Sequence, residues 1–209
     1  MSFRLVVLAS GTGTNLQAIV DQLHGEEAGG DPSIEVAGVG SDKPGAGALR
    51  RAAQAGIDSS VFPLEEHGDR ASRDAAMADW AEELGADLVV LAGYMQLLSP
   101  VFVARFPGRI VNVHPALLPS FPGLDAIGQA LEHGVRITGV TVHFVDEGVD
   151  SGPIIVQRPV PVPPNRDRAA LEDAIHRTEH ALYPETIRMI AQGRVRIDAR
   201  NSRLVLIDD

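Results

Sequence analysis

Two short stretches of this chain combine residue types that can move protons and hold charge. The first is Val111-Asn112-Val113-His114-Pro115. Side chains alternate along a strand, so Asn112 and His114 share one face and the two valines the other. Asparagine offers a neutral donor, and histidine exchanges a proton near neutral pH. Together they can hold an oxyanion and shuttle a proton. The plain alternative is a strand end with a solvent-facing histidine before a proline turn. The second stretch is Ser10-Gly11-Thr12-Gly13-Thr14-Asn15-Leu16. Its glycines permit a tight turn, and a helix starting there directs N–H groups and a positive dipole end at an anion. Leu16 stands where a dinucleotide fingerprint requires its third glycine, so a single phosphate fits better than a pyrophosphate. The plain alternative is a strand–helix turn with Thr14 as N-cap.

Three further segments carry weaker signals. Asp146, Glu147 and Asp150 fall in the turn-rich loop 145–153. One of these carboxylates could orient a histidine, or they could hold a cation, but a solvated turn is the usual explanation. Mg²⁺ is the weaker reading, because two of the acids are adjacent and no phosphate-binding lysine accompanies them. Arg70 stands at a helix start. His176 and His180 are spaced i, i+4, which suits zinc, yet the H-E-x-x-H pattern is absent and a solvated helix face is simpler. No metal site is expected.

The elements that must position these residues follow from apolar periodicity. Strands are expected at 5–9, 34–39, 88–92, 110–113, 137–145 and 154–160. Helices are expected through Leu16, Ile19, Val20 and Leu23, then over 46–55, around Met77, Trp80, Ala81 and Leu84, over 126–131, and over 168–188. Pro184 should kink or break the last of these. A terminal hairpin at 194–198 and 203–207 should turn around Asn201. Repeated strand–helix alternation in the first half predicts an α/β, Rossmann-like open twisted sheet. It should be mostly parallel there, with antiparallel additions in the second half and helices on both faces.

Composition narrows the function classes. The chain has 209 residues, 44% apolar and 22% charged, an ordinary globular mix. It is read as a single domain over 1–209, with halves at about 1–108 and about 109–209. It has no cysteine, which excludes a disulfide framework and a thiolate nucleophile and is compatible with the cytoplasm. No apolar run approaches a membrane span. The net charge is −10 and no basic patch is visible, so no nucleic-acid partner is expected.

Three blocks together resemble the folate-dependent formyltransferase family: the run from Ser10 through Asn15, Leu16, Gln17, Ala18 and Ile19; Asn112-Val113-His114-Pro115-Ala116-Leu117-Leu118-Pro119; and Gly139-Val140-Thr141-Val142-His143-Phe144-Val145, continuing to Asp150-Ser151-Gly152-Pro153-Ile154. The resemblance runs from Arg4 to about Arg196. It implies transfer of a formyl group from N10 of 10-formyltetrahydrofolate, a co-substrate, to the amine of glycinamide ribonucleotide in de novo purine synthesis. It makes Asn112, His114 and Asp150 the catalytic trio, supported from behind by Thr141 and His143. It seats the ribonucleotide phosphate on Gly13, Thr14 and Asn15, with His176 and Glu179 near the ribonucleotide. It gives the folate to Arg70, to Met95, Gln96, Leu97 and Leu98, to Asn112, and to Val145, Asp146, Glu147, Gly148, Val149 and Asp150. A homodimer is compatible with it. The chain departs from the family pattern at Gln96, where arginine is common, at His176, where lysine or glutamine occurs, and at Leu124-Asp125-Ala126-Ile127, which usually includes a histidine. A formyltetrahydrofolate hydrolase and a non-catalytic nucleotide-phosphate-binding module are the alternatives.

Overall fold

Leu5, Val6, Val7 and Leu8 are each 0% exposed. A strand covered on both faces has no polar side to show, so its sequence is a continuous apolar run. In the computed structural model, which describes residues 2–25 and 32–208, that run is strand β1 (Phe3–Leu8). The chain continues through α1 (Thr14–Leu23), β2 (Ile34–Ser41), α2 (Gly47–Gln54), β3 (Ser59–Val61), α3 (Arg70–Glu83), β4 (Leu88–Leu91) and α4 (Pro100–Arg105). It then forms β5 (Ile110–His114), α5 (Ala126–Glu132), β6 (Ile137–Phe144), β7 (Ile154–Pro161), α6 (Arg168–Ala191), β8 (Val195–Asp198) and β9 (Asn201–Ile207). Among the described residues, seven strands form a sheet in the order β3-β2-β1-β4-β5-β6-β7, and β8 and β9 form a separate hairpin. The expected α/β, Rossmann-like sheet is observed, parallel toward the N-terminus and antiparallel at the C-terminal side.

The chain divides into two compact units, Met1–Val111 and Asn112–Asp209. In the first, β1 pairs in parallel with β2 and with β4, and β2 pairs in parallel with β3. Helix α1 buries Leu16, Ile19 and Leu23, and α3 buries Met77, Ala78 and Ala81. An ion pair is also buried here. Arg73 donates through Nε and Nη2 to Asp74 Oδ1 at 2.9 and 2.7 Å, and both residues are at most 1% exposed. The other carboxylate oxygen of Asp74 accepts the Ser99 N–H at 2.6 Å. That bond, with Pro100 at the first helical position, starts α4.

In the second unit β6 pairs antiparallel with β7, placing Thr141 opposite Gln157 and His143 opposite Ile154. Thr141 and His143 therefore share one face of β6. Helix α6 buries Leu171, Ile175, Leu182 and Ile187.

Several expectations need correction. Pro184 does not break α6, which continues to Ala191 with Pro184 itself buried. An interior proline costs about 3 kcal/mol, whereas each buried Leu or Ile contributes about 1.5–3 kcal/mol, so the apolar stripe outweighs it. The N-cap of α1 is Gly13, not Thr14, which is already helical. Asn201 opens β9 and pairs with Asp198, so the hairpin turns one step earlier, where Asp198 Oδ1 accepts the Arg200 N–H at 2.8 Å. Strand β3 and helix α4 were not expected. The first is three residues of Ser-Ser-Val held by pairing with β2, and the second is six residues started by Asp74. Neither is long enough to show a period.

Candidate active site

Strand β5 ends in Asn112 and His114, and the loop after β6 swings Asp150 back toward them. Asp150 adopts a left-handed backbone conformation, φ 50°, which aspartate tolerates better than most residues. His114 is 4% exposed. Its Nε2 lies 2.8 Å from the Phe121 carbonyl oxygen, and its Nδ1 lies 3.3 Å from Asp150 Oδ2. A carbonyl can only accept, so Nε2 carries a proton. The proton that comes and goes is therefore on Nδ1, in front of the carboxylate. Gly123 N–H also donates to Asp150 Oδ2, at 2.8 Å.

His143, 2% exposed, completes the cluster. Its Nδ1 is 2.8 Å from the Phe144 carbonyl oxygen, so that nitrogen donates and Nε2 of the neutral ring accepts. Asn112 Nδ2 is 3.2 Å from that Nε2. His143 thus turns the amino end of the Asn112 amide inward. Its Nε2 is 3.6 Å from Asp150 Oδ1, beyond hydrogen-bond length. The structure brings Asn112, His114, His143 and Asp150 together. Thr141 stands apart from them. Its hydroxyl donates to the Ala116 carbonyl at 2.7 Å and accepts from the Leu118 N–H at 3.1 Å and from Gln157 Nε2 at 3.0 Å. It staples the segment that follows His114.

The electrostatics oppose one another. Burial pulls the His114 imidazolium below its ordinary range; the Asp150 charge and the Phe121 carbonyl pull it up, and burial wins. Burial pushes the Asp150 carboxyl up, but the Gly123 N–H and the charge of a protonated His114 hold it below the usual carboxylate range. At neutral pH the pair is a carboxylate beside a mostly neutral imidazole that can accept one proton.

The other candidate residues are placed as follows. Gly13 has φ 77°, and α1 begins after it with no side-chain cap. The first N–H groups of an uncapped helix have no intrahelical partner and suit an anion. A Cβ on Gly13 would lie 2.7 Å from the Ala48 Cα, so this turn is pressed against α2. Met95 and Leu97 are 58% and 56% exposed. Their segment is pinned at both ends, by the Met95 N–H to Ser10 Oγ at 2.8 Å and by the Ser99 N–H to Asp74. Ser10 and Asp74 were missed in that role, because a buried acceptor for a distant backbone N–H leaves no local pattern. Gln96 donates to Asp42 Oδ2 at 3.0 Å. Arg70 is exposed on the first turn of α3, whose N-cap is Asp69. In the loop after β6, Asp146 Oδ1 accepts from Gly148 N–H and Ser151 Oγ at 3.0 and 2.7 Å. Val145 is half-buried, and Glu147 and Val149 are exposed. On α6, Glu179 is 5% exposed, while His176 is exposed and stacks on His180, ring centroids 6.3 Å apart.

A sheet of this order, a histidine–carboxylate pair beside an asparagine donor and an open glycine turn are the parts of a group-transfer enzyme. A family model described as formyl transferase matches residues 3–187, and the chain belongs to that family. The phosphoribosylglycinamide formyltransferase of Haemophilus influenzae is 41% identical over 194 residues, 93% of this chain and 90% of that relative. The crystal structure of glycinamide ribonucleotide transformylase 1 from Symbiobacterium toebii matches with TM-score 0.93 and 47% identity, covering 100% of this chain and 95% of that one. The trifunctional purine biosynthetic protein adenosine-3 of Drosophila melanogaster is 47% identical over 193 residues, and this chain spans 14% of its length.

Proposed function

We propose that this protein is a phosphoribosylglycinamide formyltransferase, moving the formyl group of 10-formyltetrahydrofolate to the amine of glycinamide ribonucleotide. The observation that carries the reading is the His114–Asp150 pair at 3.3 Å with the Asn112 amide held beside it. Asn112 Nδ2 has a second N–H to offer the oxygen that becomes negative as the amine adds to the formyl carbon. A donor aimed at developing charge is commonly the largest single catalytic contribution. His114 Nδ1 accepts a proton as the amine attacks and returns it as the folate nitrogen leaves. Asp150 favours the imidazolium during the interval when His114 carries that proton. His143 holds the Asn112 amide in its donating orientation.

In this reading the ribonucleotide phosphate rests on the N–H groups of Gly13, Thr14 and Asn15, with Glu179 and His176 toward the rest of the ribonucleotide. The folate meets Arg70, the segment Met95–Leu98 and the loop from Val145 to Asp150. The whole chain serves as one catalytic domain acting on small molecules in the cytoplasm. The supporting facts are the uncapped α1 terminus, the exposed apolar side chains of Met95 and Leu97, and the absence of cysteine.

The test is an absorbance assay with 10-formyl-dideazafolate, with and without glycinamide ribonucleotide. Turnover only with the ribonucleotide is expected. Turnover without it would make the protein a hydrolase, and no turnover with any acceptor would leave a binding module.

A further inference from the structure

A cavity of about 920 Å³ opens in the first unit beside the glycine turn. Its wall includes Gly11 and Thr12 on the turn, Lys43 after β2, and Arg50 and Arg51 on α2. Three cationic residues line one space, and none of its lining residues is acidic. That is a marked local reversal in a chain of net charge −10.

Several arginines elsewhere on the surface meet carboxylates, although among the described residues Arg70, Arg136 and Arg177 do not. Arg4 reaches Glu35 at 3.0 Å, Arg158 reaches Glu185 at 3.1 Å and Arg168 reaches Asp125 at 2.7 Å. The side chains of Lys43 and Arg50 have no ion pair or hydrogen bond among the described residues. The adjacent acid, Asp42, accepts from Gln96 through Oδ2, while its Oδ1 is buried with no hydrogen-bond partner among the described residues. Arg51 has a structural task as well, donating from Nε to the Thr12 carbonyl at 2.8 Å and from Nη1 to Gln17 Oε1 at 3.0 Å. A Cβ on Gly11 or Gly45 would meet nothing within 4 Å, so the backbone lies open to an occupant at both places.

We propose that this cavity is an anion-binding site in its own right, taking a small molecule that carries two or more phosphates. Its volume falls within the roughly 300–1,000 Å³ usual for small-molecule sites. Two cations without internal partners, with Arg51 beside them, lower the energy of a multiply charged guest more than that of a single phosphate. Lysine acts on phosphate as a point charge and arginine as a planar fork, and both are present. The inference rests on the reading that seats the ribonucleotide phosphate on Gly13, Thr14 and Asn15. The two seats are successive parts of one loop and share no residue.

The experiment is calorimetric titration of inorganic tripolyphosphate into the full chain at low salt, with glycinamide ribonucleotide saturating. The wild type should bind the probe, and the double variant Lys43→Glu/Arg50→Glu should lose that binding while keeping its kcat. Wild-type protein that takes up no probe overturns the proposal. So does a double variant that binds as the wild type does, or saturating ribonucleotide that abolishes probe binding, which would make the cavity part of the substrate seat. If the wild type binds no ribonucleotide, the functional reading fails separately. The cavity is then judged on the probe alone, with binding lost in the double variant supporting it and binding retained overturning it.

Discussion

The cluster around His114 and the turn around Gly13 handle charge in opposite ways. In the cluster, both ring nitrogens of His114, both of His143 and a carboxylate oxygen of Asp150 face specific polar atoms, and the two imidazoles are at most 4% exposed. At the turn, the helix end is uncapped and the neighbouring Lys43 and Arg50 carry no ion pair among the described residues. The first arrangement suits a proton that must move between fixed positions, because every partner sets an orientation. The second suits a ligand that brings its own charge, because a helix N-terminus without a side-chain cap favours an anion. Side chains locked to fixed partners do the work in one region, and an open helix end with unpaired cations beside it does it in the other.

Removing His114 should break the comparison most strongly. His114→Ala is expected to lower kcat by about 10²- to 10⁴-fold, the range for losing a positioned proton carrier. The double variant with Asp150→Asn should be little worse than His114→Ala alone, since residues acting as one unit share one effect. A double-mutant cycle on kcat/KM decides this; fully additive losses would remove Asp150 from the mechanism. Asn112→Ala should follow with about 10²- to 10³-fold in kcat. His143→Ala should lose less, and nothing further in an Asn112→Ala background, if its effect runs through that amide.

The pH dependence sharpens the same point. His114 sits below its ordinary value of 6.5 because burial outweighs the pull of Asp150. Asp150→Asn removes the upward pull, so the imidazole should titrate lower still. The acidic limb of the pH–rate profile should move to lower pH. NMR titration of the His114 ring in the two proteins checks the sign, and an unshifted ring contradicts the pairing.

Gly13→Ala probes the other region. The new Cβ would meet the Ala48 Cα at 2.7 Å, at a φ of 77° that side chains rarely adopt. Strain of about 1–3 kcal/mol is expected as lost stability. In the folded fraction, KM for the ribonucleotide should rise much more than KM for the folate. Equal rises would misplace the phosphate. The smallest effect is expected for Arg70→Ala, because an exposed charge is screened by salt. Folate KM should rise at low salt and approach the wild-type value at high salt, with kcat unchanged throughout.

Much of the frame and part of the site were legible in the residues themselves. The apolar runs of β1 and β4 announce strands covered on both faces, and the alternation of Asn112 with His114 puts both on one side of β5. Gly13 marks the turn because few other residues adopt its positive φ. These properties are local, encoded by periods and turn chemistry over a few residues. What the tertiary structure alone decided is which distant groups meet. Ser59–Val61 becomes a strand because β2 offers it an edge, and Pro184 stays inside α6 because the apolar stripe around it is buried. The tautomer of His114 follows from the Phe121 carbonyl seven residues away, and the amide of Asn112 is turned by His143, thirty-one residues on. Sequence order carries no distance for such pairs. Sheet register and the path of a loop bring them within 3 Å or so, and only there does a hydrogen bond have the length and angle to act.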